Sequence, residues 1–282
     1  MIGGGYVTVY KSKVFSFTPD YDFVINAEKV IQGGTGYAIK LENGREVFHK
    51  ELLGEFPEEA EHIYPDYSLY PRLTQDTAFG FLSRGCPRGC QFCIVGQKEG
   101  LCSHKVANLS EFWHGQKKIV LCDPNILACK DWKDLLQQLI DSKAEIDINQ
   151  GLDIRLMTEE KAEMLSRVKI KQVHFAWDRY GDRDKVIPKL KLYAELAKIN
   201  QHNAIVFTIV NFDTTIEQDL DRIYTLRDIG YWPYVMIYDK AHAAPIYTLL
   251  QRWVNNRFVF AKCKRFEDYN KSQTKEETLT LF

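Results

Sequence analysis

The sequence predicts an α/β protein with a mostly parallel sheet, either open or curled into a partial barrel. Three observations lead there. Six apolar runs of strand character recur from residue 79 onward, and five amphipathic segments of helical period lie between or after them. Turn and cap residues mark the changeovers. Strands alternating with helices imply right-handed βαβ crossovers. Sheets of this kind bind ligands at the C-terminal ends of their strands.

The strand-like runs are Phe79–Ser83, Ile119–Asp123, Ile146–Gln150, Val173–Asp178, Ile205–Asn211 and Val235–Asp239. Helical spacing of apolar residues appears in Trp132–Ser142, Glu159–Val168, Lys185–Ile199, Ile216–Ile229 and Pro245–Asn255. Asp131, Thr158 and Thr215 stand where N-caps belong, and Gly230 stands where a glycine ends a helix. Ahead of this pattern, residues 1–50 read as short strands and turns, with strand character in Lys13–Thr18 and a tight turn at Gly33-Gly34-Thr35-Gly36. Residues 51–78 are acidic, then rich in Pro and Tyr, which suits an extended connector. Three parts follow: an irregular N-terminal extension and connector over 1–78, the α/β domain over 79–262, and a C-terminal tail over 263–282 that ends in a polar stretch without core-forming pattern.

With 45% apolar and 27% charged residues, the chain falls among ordinary globular proteins. A formal net charge of −1 provides no overall attraction to nucleic acid or to a membrane surface. No apolar run approaches the ~20 residues that span a bilayer. The opening MIGGGYVTVYKSK lacks the apolar core of a secretory signal, so a cytoplasmic location is expected. An odd number of cysteines, seven, then argues for thiols in a reducing compartment rather than a disulfide framework.

Three of those cysteines fall in one short stretch, Phe81-Leu-Ser-Arg-Gly-Cys86-Pro-Arg-Gly-Cys90-Gln-Phe-Cys93, directly after the first strand. Thiolates two or three residues apart can converge on a soft metal centre, and Gly85 and Gly89 let the backbone bend closely around it. Three ligands leave one iron of a cubane without a protein thiolate, as an open catalytic metal position requires. Zinc is the first alternative, with Cys102 or His104 as a fourth ligand. A redox dithiol of Cys90 and Cys93 leaves Cys86 unexplained. Chance clustering of buried thiols is the plainest reading.

This CxxxCxxC spacing at the end of a first strand, with Phe92 before the last cysteine, resembles the radical S-adenosylmethionine (SAM) superfamily over about residues 79–260. The resemblance implies a partial (β/α)6, TIM-like barrel. It further implies a [4Fe–4S] cluster on Cys86, Cys90 and Cys93, with SAM chelated by the fourth iron. Reductive cleavage of SAM then yields a 5′-deoxyadenosyl radical that abstracts hydrogen, fed by an electron donor such as flavodoxin or ferredoxin. Phe92 matches the aromatic position near the adenine. Asp123 and Asn125, after the second strand, stand where many members carry a glycine-rich motif for the methionine ammonium; this chain resembles the Asp-containing version instead. Gln150, Asp153 and Arg155 follow the third strand, where ribose and carboxylate contacts are expected, although an Asp153–Arg155 ion pair is an equal reading.

Elsewhere the sequence is less specific. His174 in an apolar strand reads as a satisfied core residue, and Cys102, Cys122, Cys129 and Cys263 as inert thiols. The N-terminal stretch resembles a truncated or degenerate remnant of the Rossmann-like domain of cobalamin-binding members, without their cobalt-ligating histidine motif. Near the other end, Arg252–Phe258 and Lys262–Phe266 interleave cations with aromatics. A single-stranded nucleic acid can bind such a surface, which keeps a tRNA-modifying member of the superfamily in view. The reading preferred is a final helix and its cover. A non-catalytic iron–sulfur or zinc module is the remaining alternative. The substrate is not encoded in any motif.

Overall fold

A computed structural model describes residues 5–42, 45–54, 57–197 and 199–269. Its centre is a six-stranded sheet: β1 (Thr77–Gly80), β2 (Lys118–Leu121), β3 (Glu145–Leu152), β4 (Ile170–Ala176), β5 (Ala204–Val210) and β6 (Trp232–Ile237). The strands lie in sequential order and every pairing is parallel. Each crossover therefore steps one strand in the same direction. With no reversal of strand order there is no switch-point crevice, and the C-terminal edge of the sheet is the place left for a ligand.

The crossovers carry α1 (Trp132–Ser142), α2 (Glu159–Arg167), α3 (Arg183–Ala197) and α4 (Ile216–Asp228). Successive side chains on a strand point to opposite faces. One set, including Ile119, Ile146, Ile148, Val173, Phe175 and Val206, forms a buried core with Leu135 and Leu139 of α1, Leu165 of α2 and Leu190 of α3. Each such large side chain contributes about 1.5–3 kcal/mol by leaving water. Beyond β6 the chain forms α5 (Pro245–Asn255) and α6 (Arg257–Lys262). These enclose a second core of Val210, Val235, Ile223, Leu250, Trp253 and Phe260. The alternate set of strand residues, among them Phe79, Asp147, His174, Phe207 and Tyr234, lies on the other face; Phe79 and Tyr234 are both 41% exposed, and Phe207 packs against the second core.

The open edge of β6 is capped from within. Val235 donates its N–H to Asn255 Oδ1 at 2.8 Å, and its carbonyl accepts from Asn255 Nδ2 at 3.0 Å and Gln251 Nε2 at 3.1 Å. A carboxamide thus stands in for the next strand, which blunts an edge otherwise ready to pair.

Thr158 and Thr215 cap α2 and α4 as expected, and Gly230 follows α4 at φ 90°. Asp131 precedes α1 but its side chain makes no cap bond. The largest corrections lie before residue 79. Lys13–Thr18 is not a strand; the strands before residue 50 are Tyr6–Ser12 and Ala27–Gly33, paired in parallel, and Ile39–Glu42 and Arg45–Phe48, paired antiparallel. β-propensity placed the strand where Val14, Phe15 and Phe17 stand, yet all three are exposed, and Phe15 and Phe17 stack on each other rather than in a core. The connector is broken into short helical turns, including Glu58–Glu61 and Pro71–Thr74, rather than extended. The Pro65 and Pro71 punctuation set turns there. Of the C-terminal tail, residues 270–282 lie outside the described residues. Among the described residues no helix is long and apolar enough to cross a membrane.

Candidate active site at the cysteine loop

After β1 the chain makes a brief antiparallel pairing of Ser83-Arg84 with His104-Lys105, and the cysteine loop is the excursion between them. Two devices close its neck. Cys86 N–H donates to Gly100 O at 3.1 Å, and Glu99 accepts from Gly85 N–H at 3.2 Å and Arg84 Nη1 at 3.3 Å. Gly85 has φ 83°, and a Cβ there would sit 2.1 Å from Cys102 O. No other residue fits that position.

Asp123, at the end of β2, holds the loop's root. Its Oδ1 accepts from Leu82 N–H at 2.8 Å, and its Oδ2 accepts from Ser83 N–H at 2.5 Å and from Ser83 Oγ at 2.6 Å. Burial raises its carboxyl to about 6 against the bonds that favour the anion. Both oxygens therefore bond within the fold, so the residue expected to receive an ammonium also anchors the loop. Asn125, two residues on, is almost fully buried and donates Nδ2–H to Cys86 Sγ at 3.5 Å. Its Oδ1 is buried without a partner.

All three thiols are free; Cys86 and Cys90 are half-buried and Cys93 is exposed at the loop's surface. Burial pushes the Cys90 and Cys93 thiols up, and the Asp178 carboxylate and the neighbouring thiols push the same way. The Val95 N–H opposes this at Cys93. Among the described residues, no three His, Cys, Asp or Glu side chains form a ready group around a single ion.

The loop is tied across the C-terminal edge of the sheet. Arg88 pairs with Asp153, just beyond β3. Asp153 also accepts from Arg155 Nε at 2.8 Å, and Arg155 Nη1 reaches Asp182 at 2.5 Å. The expected Asp153–Arg155 pair is present, extended at both ends. Phe92 meets Phe212, beyond β5, edge to face at 5.2 Å, and Phe212 meets Tyr238, beyond β6, at 4.9 Å. Asn211 and Asp239, at those two strand ends, carry positive φ of 63° and 46°. Backbone conformations that side chains rarely adopt cluster where function does.

Gln150 belongs to an irregularity in β3. The pairing with β4 jumps from Val173–Ile148 to His174–Gly151, so Asn149 and Gln150 bulge out and are exposed. The bulge frees the Ile148 carbonyl, which accepts from His174 Nδ1 at 2.7 Å. His174 is stacked on Phe207 at 4.9 Å, a satisfied, buried residue as its sequence context suggested.

Arg222 of α4, fully buried, was not singled out by any motif. It donates to Trp177 O, Asp178 O, Ile209 O and Asp219 Oδ1 at 2.5–2.7 Å, joining the ends of β4 and β5. Burial raises Asp178 to about 6, opposed by the Arg222 charge. Cys122, Cys129 and Cys263 remain separate thiols, as does Cys102.

A cavity of about 880 Å³ lies beside the loop rather than over its cysteines, lined by Phe79, Phe81, Arg84, Glu99, His104 and Cys122 with residues of the connector. The basic-aromatic stretch near the C-terminus is largely core: Trp253, Phe260 and Phe266 are buried in mutual ring contacts, and Phe258 is exposed. Buried rings offer no platform on which bases stack.

No family model matches the chain, and no curated protein matches it.

Proposed function

We propose that the chain is a radical SAM enzyme acting on a substrate bound at the C-terminal edge of the sheet. One observation carries the reading: a loop with three free cysteines leaves the end of the first strand and is fastened to the ends of the third and fifth. In a flat sheet β1 and β5 stand four strand spacings apart, about 19 Å. The reach of Phe92 to Phe212 favours a sheet curled into a partial barrel, with the loop over its mouth.

The donor set fits an iron–sulfur centre in kind. Three thiolates that bind three different irons of a cubane stand further apart than three that share one ion, so they need not converge on a point. A bound [4Fe–4S] cluster supplies one electron for cleavage of SAM into methionine and a 5′-deoxyadenosyl radical, which takes hydrogen from the substrate.

The chain's own residues bind and orient. Phe92 offers a ring face or edge to the adenine, already braced by Phe212. Gln150, displaced by the bulge, offers an amide to ribose or methionine groups, whereas Asn125 is buried with its amide turned to Cys86. Arg155 forks toward a carboxylate once it shares its pairing with Asp153 and Asp182. Asp123 is assigned to anchoring the loop. The electron comes from a flavodoxin- or ferredoxin-like donor.

The test is anaerobic reconstitution with iron and sulfide, dithionite reduction, and quantification of 5′-deoxyadenosine from SAM. Wild-type protein is expected to cleave SAM, and Cys86→Ala, Cys90→Ala and Cys93→Ala to fall to background. Stoichiometric zinc in place of iron, or a fully loaded cluster that leaves SAM intact, would overturn the proposal.

A further inference from the structure

Each thiol of the loop has a different electrostatic setting. Cys86 has a side-chain donor, Asn125 Nδ2 at 3.5 Å, an ordinary length for a bond to sulfur. Among the described residues Asn125 is the side chain that donates to a cysteine of this loop.

The amide is set rigidly. Asn125 is 2% exposed, and its backbone carbonyl accepts from Ser103 Oγ at 3.1 Å. Its Oδ1 is buried with no partner. A metal-bound Cys86 thiolate has no proton to give, so only the Nδ2 side of the amide can bond that sulfur, which is the orientation present.

Resting on the radical SAM reading, we infer that Asn125 is a positioning residue for electron transfer, donating to the Cys86 thiolate and raising the reduction potential of the cluster. Reduction adds a negative charge that spreads onto the thiolate sulfurs. An N–H aimed at one of them stabilises the reduced form more than the oxidised form. Removing the donor therefore makes the cluster harder to reduce without removing any ligand.

The experiment is an EPR-monitored redox titration of reconstituted wild type, Asn125→Leu, Asn125→Asp and Ser103→Ala, with iron content measured alongside. Asn125→Leu is expected to shift the reduction equilibrium about tenfold toward the oxidised cluster, which is 59 mV lower for a one-electron couple. Asn125→Asp is expected to shift it further, because a carboxylate adds charge of the same sign. Ser103→Ala disturbs the same segment but keeps the donor, and its potential is expected to stay at the wild-type value. Equal potentials in wild type and Asn125→Leu at full iron loading would overturn this inference and leave the radical SAM reading standing. Wild type that takes up no iron would sink both. Should the Asn125 variants not hold a cluster, wild type labelled with ¹⁵N-asparagine decides: a ¹⁵N hyperfine coupling in the reduced cluster supports the bond, and its absence overturns it.

Discussion

Replacing Asp123 by asparagine tests the anchoring of the cysteine loop through its pH dependence. The wild-type carboxyl titrates at about 6 in the folded protein, against an ordinary value of 3.8. Between those values the native state keeps a proton that the unfolded state has lost, so wild-type stability falls as pH rises through this window. The gap, at about 1.36 kcal/mol per pH unit, is roughly 3 kcal/mol. Asparagine carries no such titration. It does lose a bond: one of the two backbone donors, Leu82 or Ser83 N–H, must face an NH2 group, leaving a buried donor unpaired at about 1–3 kcal/mol. Asp123→Asn is therefore expected to be less stable than wild type at pH 4.5. By pH 7.5 the deficit should be closed or reversed, a relative change of about 2 kcal/mol, the part of the gap that lies above pH 4.5. Urea unfolding of the reduced, metal-free proteins at several pH values measures this directly. Parallel stability curves for the two proteins from pH 4.5 to 7.5 would refute the account of Asp123 as a buried, proton-holding anchor.

Gly85→Ala places a methyl 2.1 Å from Cys102 O at a backbone φ of 83°; we expect the neck of the loop to open and iron uptake to fall severalfold, read by iron content after reconstitution. Arg88→Gln removes the loop's ion pair with Asp153 but leaves Asp153 paired with Arg155. The outcome expected is unchanged global stability with faster amide exchange over residues 86–99, and equal exchange in both proteins would contradict the tie. Arg222→Met strips the ends of β4 and β5 of a shared donor and leaves Asp219 as an uncompensated buried charge. A loss of about 3–5 kcal/mol is expected, visible as a lower urea midpoint, and partly restored by adding Asp219→Leu.

How much of this was legible beforehand follows the range of the interactions. The six strands and the capped helices α2 and α4 were readable because their signals are local: apolar period, threonine caps and a terminal glycine. The cysteine loop was readable because its chemistry is packed into one short stretch. The anchoring by Asp123 was not legible because an aspartate after a strand looks the same whether it turns outward to a ligand or inward to the Leu82 and Ser83 backbone about 40 residues earlier. Arg222 was invisible for a similar reason, since its acceptors are carbonyls, which every residue has. The bulge at Asn149 and Gln150 shows only in the pairing with β4. In the N-terminal stretch, propensity pointed to Lys13–Thr18, but strand identity there depends on what packs against it.

The sequential order of the sheet also sets a timetable. During synthesis each βα unit can dock on the one made just before it, so the sheet grows from β1 toward β6 as the chain emerges. The cysteines come early, but Phe212, which braces Phe92, comes about 120 residues after Cys93. At the usual 5–20 residues per second this delay is roughly 6–24 s. Over that interval the thiols are on the growing chain without the far wall of their site. On the function proposed above, metal delivery would be a late event in the biogenesis of this protein, and premature oxidation of the loop the hazard a cell making it must manage.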